Sequence, residues 1–300
     1  MSMTLLEITN QVNAELGFTQ VASVIGSTNL QTIQMLALLK RLGNDLCRQY
    51  EWQRLNKEYI FTTVAYTLTG TCTVGSKVIT GISSTTNLSS SFAISGTNVQ
   101  PNSQIVTVDS ATQVTMDMNA VSSGTVSLVF SQVQYSLPSD WSKQITQTEW
   151  DRTDRWPMLG PQSSQEWQSL KSGTMVSGPN TRFRILGNKI TVLPAPATGL
   201  TFSFEYVSNY WVNSAAGVAK AAYTVDTDTC IFTDSIMVTG LKAQWKMAKG
   251  LDASFDLGEF RSLLDQTKAQ DKSAPILSLS PYTQSILITT NNLTDGSWNT

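Results

Sequence analysis

The chain has 300 residues, of which only 14% are charged, with 20 basic against 22 acidic side chains. Soluble domains carry roughly 25% charged residues, so Ser, Thr, Asn and Gln must supply most of the polar surface. The near-neutral balance excludes a global field that would gather nucleic acid or bind a charged membrane, and the absence of histidine removes the commonest proton-transfer side chain and zinc ligand.

Thr4 and Glu7 open the chain with the spacing of a capping box, and Leu5, Ile8, Val12 and Leu16 form one helical stripe before Gly17. Glu7 and Asn10 interrupt what a signal peptide would need as an apolar run, and no segment reaches the roughly 18 apolar residues of a membrane span. Synthesis and folding in a cytoplasm are therefore expected. Cys47, Cys72 and Cys230 contain no CxxC pair and suit reduced, buried thiols better than a disulfide framework. A longer helix begins near Thr28, with Met35, Leu38, Leu39, Leu42, Leu46 and Tyr50 on one side.

From about residue 62 the period becomes alternating. Only Lys77, Asp109 and Asp117 are charged between 62 and 134, and short Val/Ile/Thr runs are separated by Gly, Asn, Pro or Ser. This pattern predicts a compact β insertion over 68–131, with the strand interval of a small sandwich or barrel and a sandwich-like domain as the expected form. Beyond YSLPSDW, Ser163 and Glu166 form a second capping-box spacing, predicting a short helix over 164–171. RFRIL and KITVLP flank Gly187-Asn188, a two-residue hairpin signal, and LTFSFEYV (200–207) alternates for one buried face. Asp234 is the expected N-cap of a helix over 234–249, followed by another over about 252–271. The last 28 residues read as an extended arm.

These elements predict an α+β fold: a helical bundle from the N- and C-terminal helices, a central β hairpin and meander, and the inserted sandwich-like domain. The divisions are 1–61 (helical), 68–131 (insertion), 132–232 (Trp-rich loop and hairpin), 233–272 (closing helices) and 273–300 (arm).

In this order the sequence resembles the head-to-tail adaptors of tailed, short-tailed bacteriophages, the tail tubular protein A or head-completion type. The resemblance rests on LLEITNQVNAELG with the following helix ending in RQYEW, on YSLPSDW leading to WDRTDRWPMLGPQSSQEW, on RFRILGNKITVLPAP, on the FEY strand and on GLKAQWKMAKGLD. It covers most of residues 3–280. The segment 68–131 resembles β modules of phage structural proteins and lies outside the minimal adaptor. The resemblance implies a non-enzymatic virion protein at the head-tail junction, a ring of usually twelve copies that binds the portal protein on one side and the tail nozzle protein on the other. Such a ring lets DNA pass without specific binding, and it needs no cofactor or metal.

The stretch TEWDRTDRWPMLGPQSSQEWQSL (148–170) places three tryptophans and six charged residues in 23 positions. Trp150, Trp156 and Trp167 can be core anchors, since most Trp are largely buried. Together with Asp151, Arg152, Asp154 and Arg155 they also match the composition of interface hot spots, which makes the stretch the expected contact between ring neighbours. In the arm, Tyr282, Ile286, Leu287 and Ile288 are the expected portal-binding residues. An alternative is a tail-associated glycan-cleaving protein that uses a carboxylate pair from Asp140, Glu149, Asp151 and Glu166. A glycan-binding insertion is the other alternative, although 68–131 holds only Phe92 and Phe130 as aromatics. Asp226 and Asp228 could contribute to an all-oxygen calcium site, or simply to a turn.

Overall fold

The computed structural model describes residues 2–172 and 180–271. The arm residues Tyr282, Ile286, Leu287 and Ile288 lie outside the described residues. In chain order the elements are α1 (Leu5–Glu15), α2 (Leu30–Gln49), β1 (Asn56–Thr62), β2 (Ala65–Cys72), β3 (Val78–Thr80), β4 (Phe92–Ser95), β5 (Ser103–Ser110), β6 (Gln113–Met116), β7 (Gly124–Gln132), β8 (Gln134–Ser136) and β9 (Trp141–Gln144). They continue with β10 (Trp150–Asp151), β11 (Trp156–Pro157), α3 (Ser164–Ser172), β12 (Arg182–Leu186), β13 (Lys189–Leu193), β14 (Thr201–Ser208), β15 (Val212–Asn213), β16 (Ala219–Lys220), β17 (Thr229–Cys230), α4 (Asp234–Ala248) and α5 (Ser254–Asp271). Among the described residues they form two compact units, one of 2–57, 140–144 and 206–271, the other of 58–139 and 145–205.

In the first unit α1 starts on a complete capping box: the Glu7 amide donates to Thr4 Oγ1 at 3.3 Å and the Thr4 amide donates to Glu7 Oε2 at 2.8 Å. The N-cap of α2 is Asn29, whose side chain accepts the Gln31 amide at 2.9 Å. Leu5, Ile8 and Val12 of α1 and Met35, Leu39, Leu42 and Leu46 of α2 are buried at helical spacing. Helix α4 packs against α1, α2 and α5. Gly240 makes this possible, because a Cβ there would stand 2.8 Å from both Leu42 of α2 and Phe260 of α5. The expected cap Asp234 is instead in the first turn of α4, after the N-cap Thr233, and its carboxylate accepts the Met3 amide at 2.9 Å.

The expected α+β framework, a helical bundle enclosing a hairpin core, is overturned. The described residues form a mixed α/β arrangement of five α-helices and 17 strands. The reason lies in what α2 faces. Its buried Gly43 is covered by the Trp211 ring, and Trp211 in turn meets Tyr223 at 5.1 Å and Phe232 at 6.2 Å. These aromatic rings come from the irregular chain around β15 and β17, so β and loop residues occupy space that a bundle would fill with helix. Helix α5 buries only Asp256 and Leu264, too little for a full bundle partner.

In the second unit the insertion, whose strand interval allows sandwich or barrel, is a closed barrel in the order β2-β3-β6-β5-β4-β7 and not the expected sandwich-like domain. Strand β7 closes it: Gly124 to Ser131 pair with β2, and Val129 to Gln132 also pair with β4. Leu128 fills the interior against two glycines, since a Cβ at Gly70 or Gly96 would lie 3.0 or 2.5 Å from its methyl groups. Around it are Ile79, Ile94, Ile105, Val114 and Phe130, each contributing about 1.5–3 kcal/mol by leaving water. Closure removes the free edges that an open sheet would present. The remainder of the unit includes a sheet of β12, β13 and β8. Leu186 pairs with Lys189 across the Gly187-Asn188 turn, and Gly187 has the φ of +58° that the turn requires.

Candidate interface at the tryptophan hairpin

Residues 150–157 form a minimal hairpin. Trp150 pairs with Pro157 and Asp151 with Trp156, while β10 also joins β14 through Trp150 with Ser203 and Asp151 with Phe202. Strand β11 is the last in its order, and Pro157 blunts that edge because it has no amide to donate.

Asp151 shapes the turn. The residue is 5% exposed, and its carboxylate accepts the amides of Thr153 at 2.9 Å and Asp154 at 3.1 Å, as turn aspartates do. Burial pushes its pKa up, and the two amide bonds only partly offset this. The turn is also tied to β14: the Arg152 amide donates to the Thr201 carbonyl at 2.8 Å, and the Thr201 amide donates to Thr153 Oγ1 at 2.9 Å. The Arg152 guanidinium pairs with Glu58 of β1. Arg155 has φ +60°, the left-handed region that few non-glycine residues adopt.

This arrangement presents Arg152, Asp154 and Arg155 to solvent at the tip, flanked by Trp150 and Trp156, which are half-buried. Trp167 is not with them. It is the one buried residue of α3, 2% exposed, on a helix capped by Ser163 and Glu166, whose amides and side chains bond reciprocally at 3.2 Å. Between hairpin and helix, Gly160 runs so close to β12 that a Cβ would stand 2.5 Å from the Phe183 carbonyl oxygen. The structure therefore separates the stretch into an exposed charged tip and a buried indole. Glu58, Thr153 and Thr201 hold the tip and were not singled out in the sequence. The alternation of NKEYIFT, which leaves Glu58 on the less buried side of β1, was the available signal for one of them.

Three of the four carboxylates of the glycan-cleaving alternative have separate structural roles. Asp151 closes its turn and Glu166 caps α3. Glu149 is buried, and its main chain is fixed in the hairpin by the Met158 amide, which donates to its backbone carbonyl at 3.0 Å. Asp140, in the first unit, accepts bonds from Lys57 Nζ at 2.6 Å, Ser208 Oγ at 2.7 Å and Tyr206 Oη at 2.8 Å. Burial opposes its ionisation, but these donors prevail and hold its pKa below the usual value.

Asp226 accepts Ser23 Oγ and the amides of Val24 and Ile25. Asp228 is paired with Lys220 at 2.8 Å and takes the Thr224 and Val225 amides. Among the described residues no group of three or more Cys, Asp or Glu could hold a metal ion, and no helix is long and apolar enough to cross a membrane. The three cysteines are free. Burial raises all three thiol pKa values, Cys47 to about 12 and Cys230 to about 11, which leaves them protonated and poorly nucleophilic at neutral pH.

No protein-family model matches the chain, and no curated protein is significantly similar to it.

Proposed function

We propose that the chain is a structural ring subunit, an adaptor that joins a phage portal protein to the tail nozzle protein and prolongs the DNA exit channel. The observation that carries this reading is the hairpin tip. Arg152, Asp154 and Arg155 are exposed on a turn that Asp151 and the Thr201 contacts make rigid, with two half-buried indoles beside them. A preorganised Arg/Trp surface loses little conformational freedom on binding, the condition under which such residues become hot spots. The order of motifs from LLEITN to GLKAQWKMAKGLD supports the same reading by resemblance.

The ring subunit must meet a neighbour on each side through unlike surfaces and present two axial faces to different partners. DNA transit suits the near-neutral composition, since each phosphate neutralised by a channel cation would slow passage. The test is light scattering of the purified protein alone and mixed with the portal protein of the same genome. A discrete, larger complex is expected, and its loss on combining Arg152→Ala with Arg155→Ala assigns the tip to assembly. Unchanged assembly by that double variant removes the tip from the interface, and failure to associate with portal at any salt concentration ends the adaptor reading.

A further inference from the structure

The first unit carries two helix faces that its own core leaves uncovered. Helix α2 buries Thr32, Met35, Leu39, Leu42, Gly43 and Leu46. On the opposite side, Leu30, Ile33, Ala37, Arg41 and Arg48 recur at helical spacing and are all exposed, Leu30 by 81%, while Asn44 between the two arginines accepts the Trp211 indole N–H at 3.1 Å. The N-terminal half of this stripe is apolar and the C-terminal half cationic. Among the described residues Arg41 pairs with Asp45 one turn on, at 3.6 Å, and borders an open cleft with Gln244, Met247 and Ala248 of α4, while Arg48 makes no ion pair.

Helix α5 is the counterpart. Eighteen residues long, it buries only Asp256 and Leu264, although helices in proteins depend on packing for most of their stability. Its outer side carries Phe255, 79% exposed, then Gly258, Glu259, Ser262 and Asp265, all exposed. Here too the apolar residue comes first, but the charges that follow are acidic. Neither Glu259 nor Asp265 makes an ion pair among the described residues.

We infer that the outer face of α5 on one copy of this chain seats against the outer face of α2 on the next, Phe255 on Ile33 and Ala37, with Glu259 and Asp265 against Arg41 and Arg48. At about 1.5 Å rise per residue, Ala37 precedes Arg41 and Arg48 by about 6 and 17 Å along its helix, and Phe255 precedes Glu259 and Asp265 by about 6 and 15 Å. A parallel alignment matches both the apolar and the charged ends. An antiparallel one would place carboxylates against Leu30 and Ile33, where burial without a partner is costly. Within one copy the residues named are exposed and do not cover one another, although α2 and α5 both pack on α4 and touch at their C-terminal ends, where Tyr50 Oη donates to the Lys268 carbonyl at 3.2 Å. The contact is thus between unlike surfaces, the kind that propagates from copy to copy and closes only as a ring. The inference rests on the ring-subunit reading and specifies which surfaces that ring would join.

Disulfide trapping in the full chain tests it, with Cys47→Ser as background and light scattering of the same samples. Ala37→Cys combined with Phe255→Cys should give, on mild oxidation, a ladder of covalent dimers, trimers and larger species. Either single variant alone should stay uncrosslinked, and a mixture of the two should stop at dimers. Reversing charge on one face, by Glu259→Arg with Asp265→Arg or by Arg41→Glu with Arg48→Glu, should abolish association, and mixing the two reversed proteins should restore assembly with the two copies alternating, since each then meets a complementary face on both sides. Assembly by light scattering without the ladder overturns the α2–α5 contact and leaves the ring reading standing. A single variant that crosslinks to itself overturns it in favour of a symmetric dimer. A protein that neither assembles nor crosslinks, with or without portal, ends both.

Discussion

The barrel of 65–132 and the helical unit solve the same problem, a stable core in a chain with little charge, by different means. The barrel closes its hydrogen-bond ladder on itself and fills the inside with Leu128, Phe130 and aliphatic side chains. The helical unit uses buried carboxylates as fixed points. Asp256, its side chain 2% exposed, bridges Lys242 at 3.2 Å and Lys246, and Lys242 also reaches Glu15 of α1 at 3.1 Å. Asp226 and Asp140 bind chain segments in the same way. The barrel carboxylate with a lowered pKa, Asp109, is exposed and held chiefly by the hydroxyls of Thr115 and Thr107, so the barrel should respond less to acid than to volume, whereas a unit fastened by buried carboxylates should respond to both.

The largest expected effect is in the barrel. Phe130 is fully buried, and Phe130→Ala should cost about 3–5 kcal/mol through lost burial and the cavity left behind. Every tryptophan of the chain lies outside 65–132, so barrel opening is read by hydrogen exchange of its amides, and Trp52, Trp211 and Trp245 report on the helical unit. Exchange should rise throughout β2, β4 and β7 with little change in the indole transition. Equal movement of both signals would show the two regions unfolding as one.

Asp256→Asn should come next, destabilising by about 2–3 kcal/mol in urea melts. Removing one partner of a buried pair costs about 3–5 kcal/mol, and the partial exposure of the two lysines, 20% and 26%, reduces that. Burial disfavours the Asp256 carboxylate, but the bonds from Lys246 and Lys242 outweigh this and lower its pKa. A lowered folded-state pKa gives stability that is complete above the unfolded value near pH 4 and is lost as pH falls through the folded one. Asp140, Asp226 and Asp228 are lowered in the same sense. Acid below about pH 4 should therefore loosen the helical unit while barrel amides remain protected, and simultaneous loss would contradict the contrast drawn between them.

A pair of glycines sharpens the volume side of the comparison within the helical unit. Alanine is worth up to about 1 kcal/mol over glycine in a helix, but a Cβ at Gly43 would stand 2.2–2.5 Å from carbons of the Trp211 ring. That ring is fully buried and wedged against Tyr223. Overpacking should prevail, so Gly43→Ala should lower stability by about 1–2 kcal/mol. At Gly258 of α5 a Cβ meets nothing within 4 Å, and Gly258→Ala should raise stability by about 0.5–1 kcal/mol. Thermal melts of the two variants should move in opposite directions.

What the sequence made legible was local. Thr4 with Glu7 and Ser163 with Glu166 are capping boxes in the structure, because three-residue spacing and side-chain chemistry decide such contacts within one turn. The Gly187-Asn188 hairpin is of the same kind. Closure of the barrel was not legible, since β2 pairs with β7 across some fifty intervening residues and a sandwich would show the same alternation. Nor was the departure from a bundle, which turns on Trp211 meeting Gly43 at long range. Within 148–170, composition flagged the stretch but could not sort it. Trp167 goes inward because the capped helix turns it there, and Trp150 and Trp156 stay at the surface because a two-residue strand pair leaves them at a sheet edge.

The smallest expected effect on stability is at that edge. Arg152 and Glu58 are each nearly half exposed, and ion pairs so open to solvent contribute about 0–1 kcal/mol. Arg152→Ala should leave the denaturation midpoint nearly unchanged, because the turn keeps its Asp151 bonds and its backbone bond to Thr201. Asp151→Ala is the contrasting substitution: it strips two turn amides of their acceptor and should cost about 1–2 kcal/mol. If the tip serves assembly, the ranking inverts when ring formation is measured instead of stability. Arg152→Ala combined with Arg155→Ala should then weaken association far more than it weakens the fold, whereas a tip with only a structural role would show the two losses in proportion.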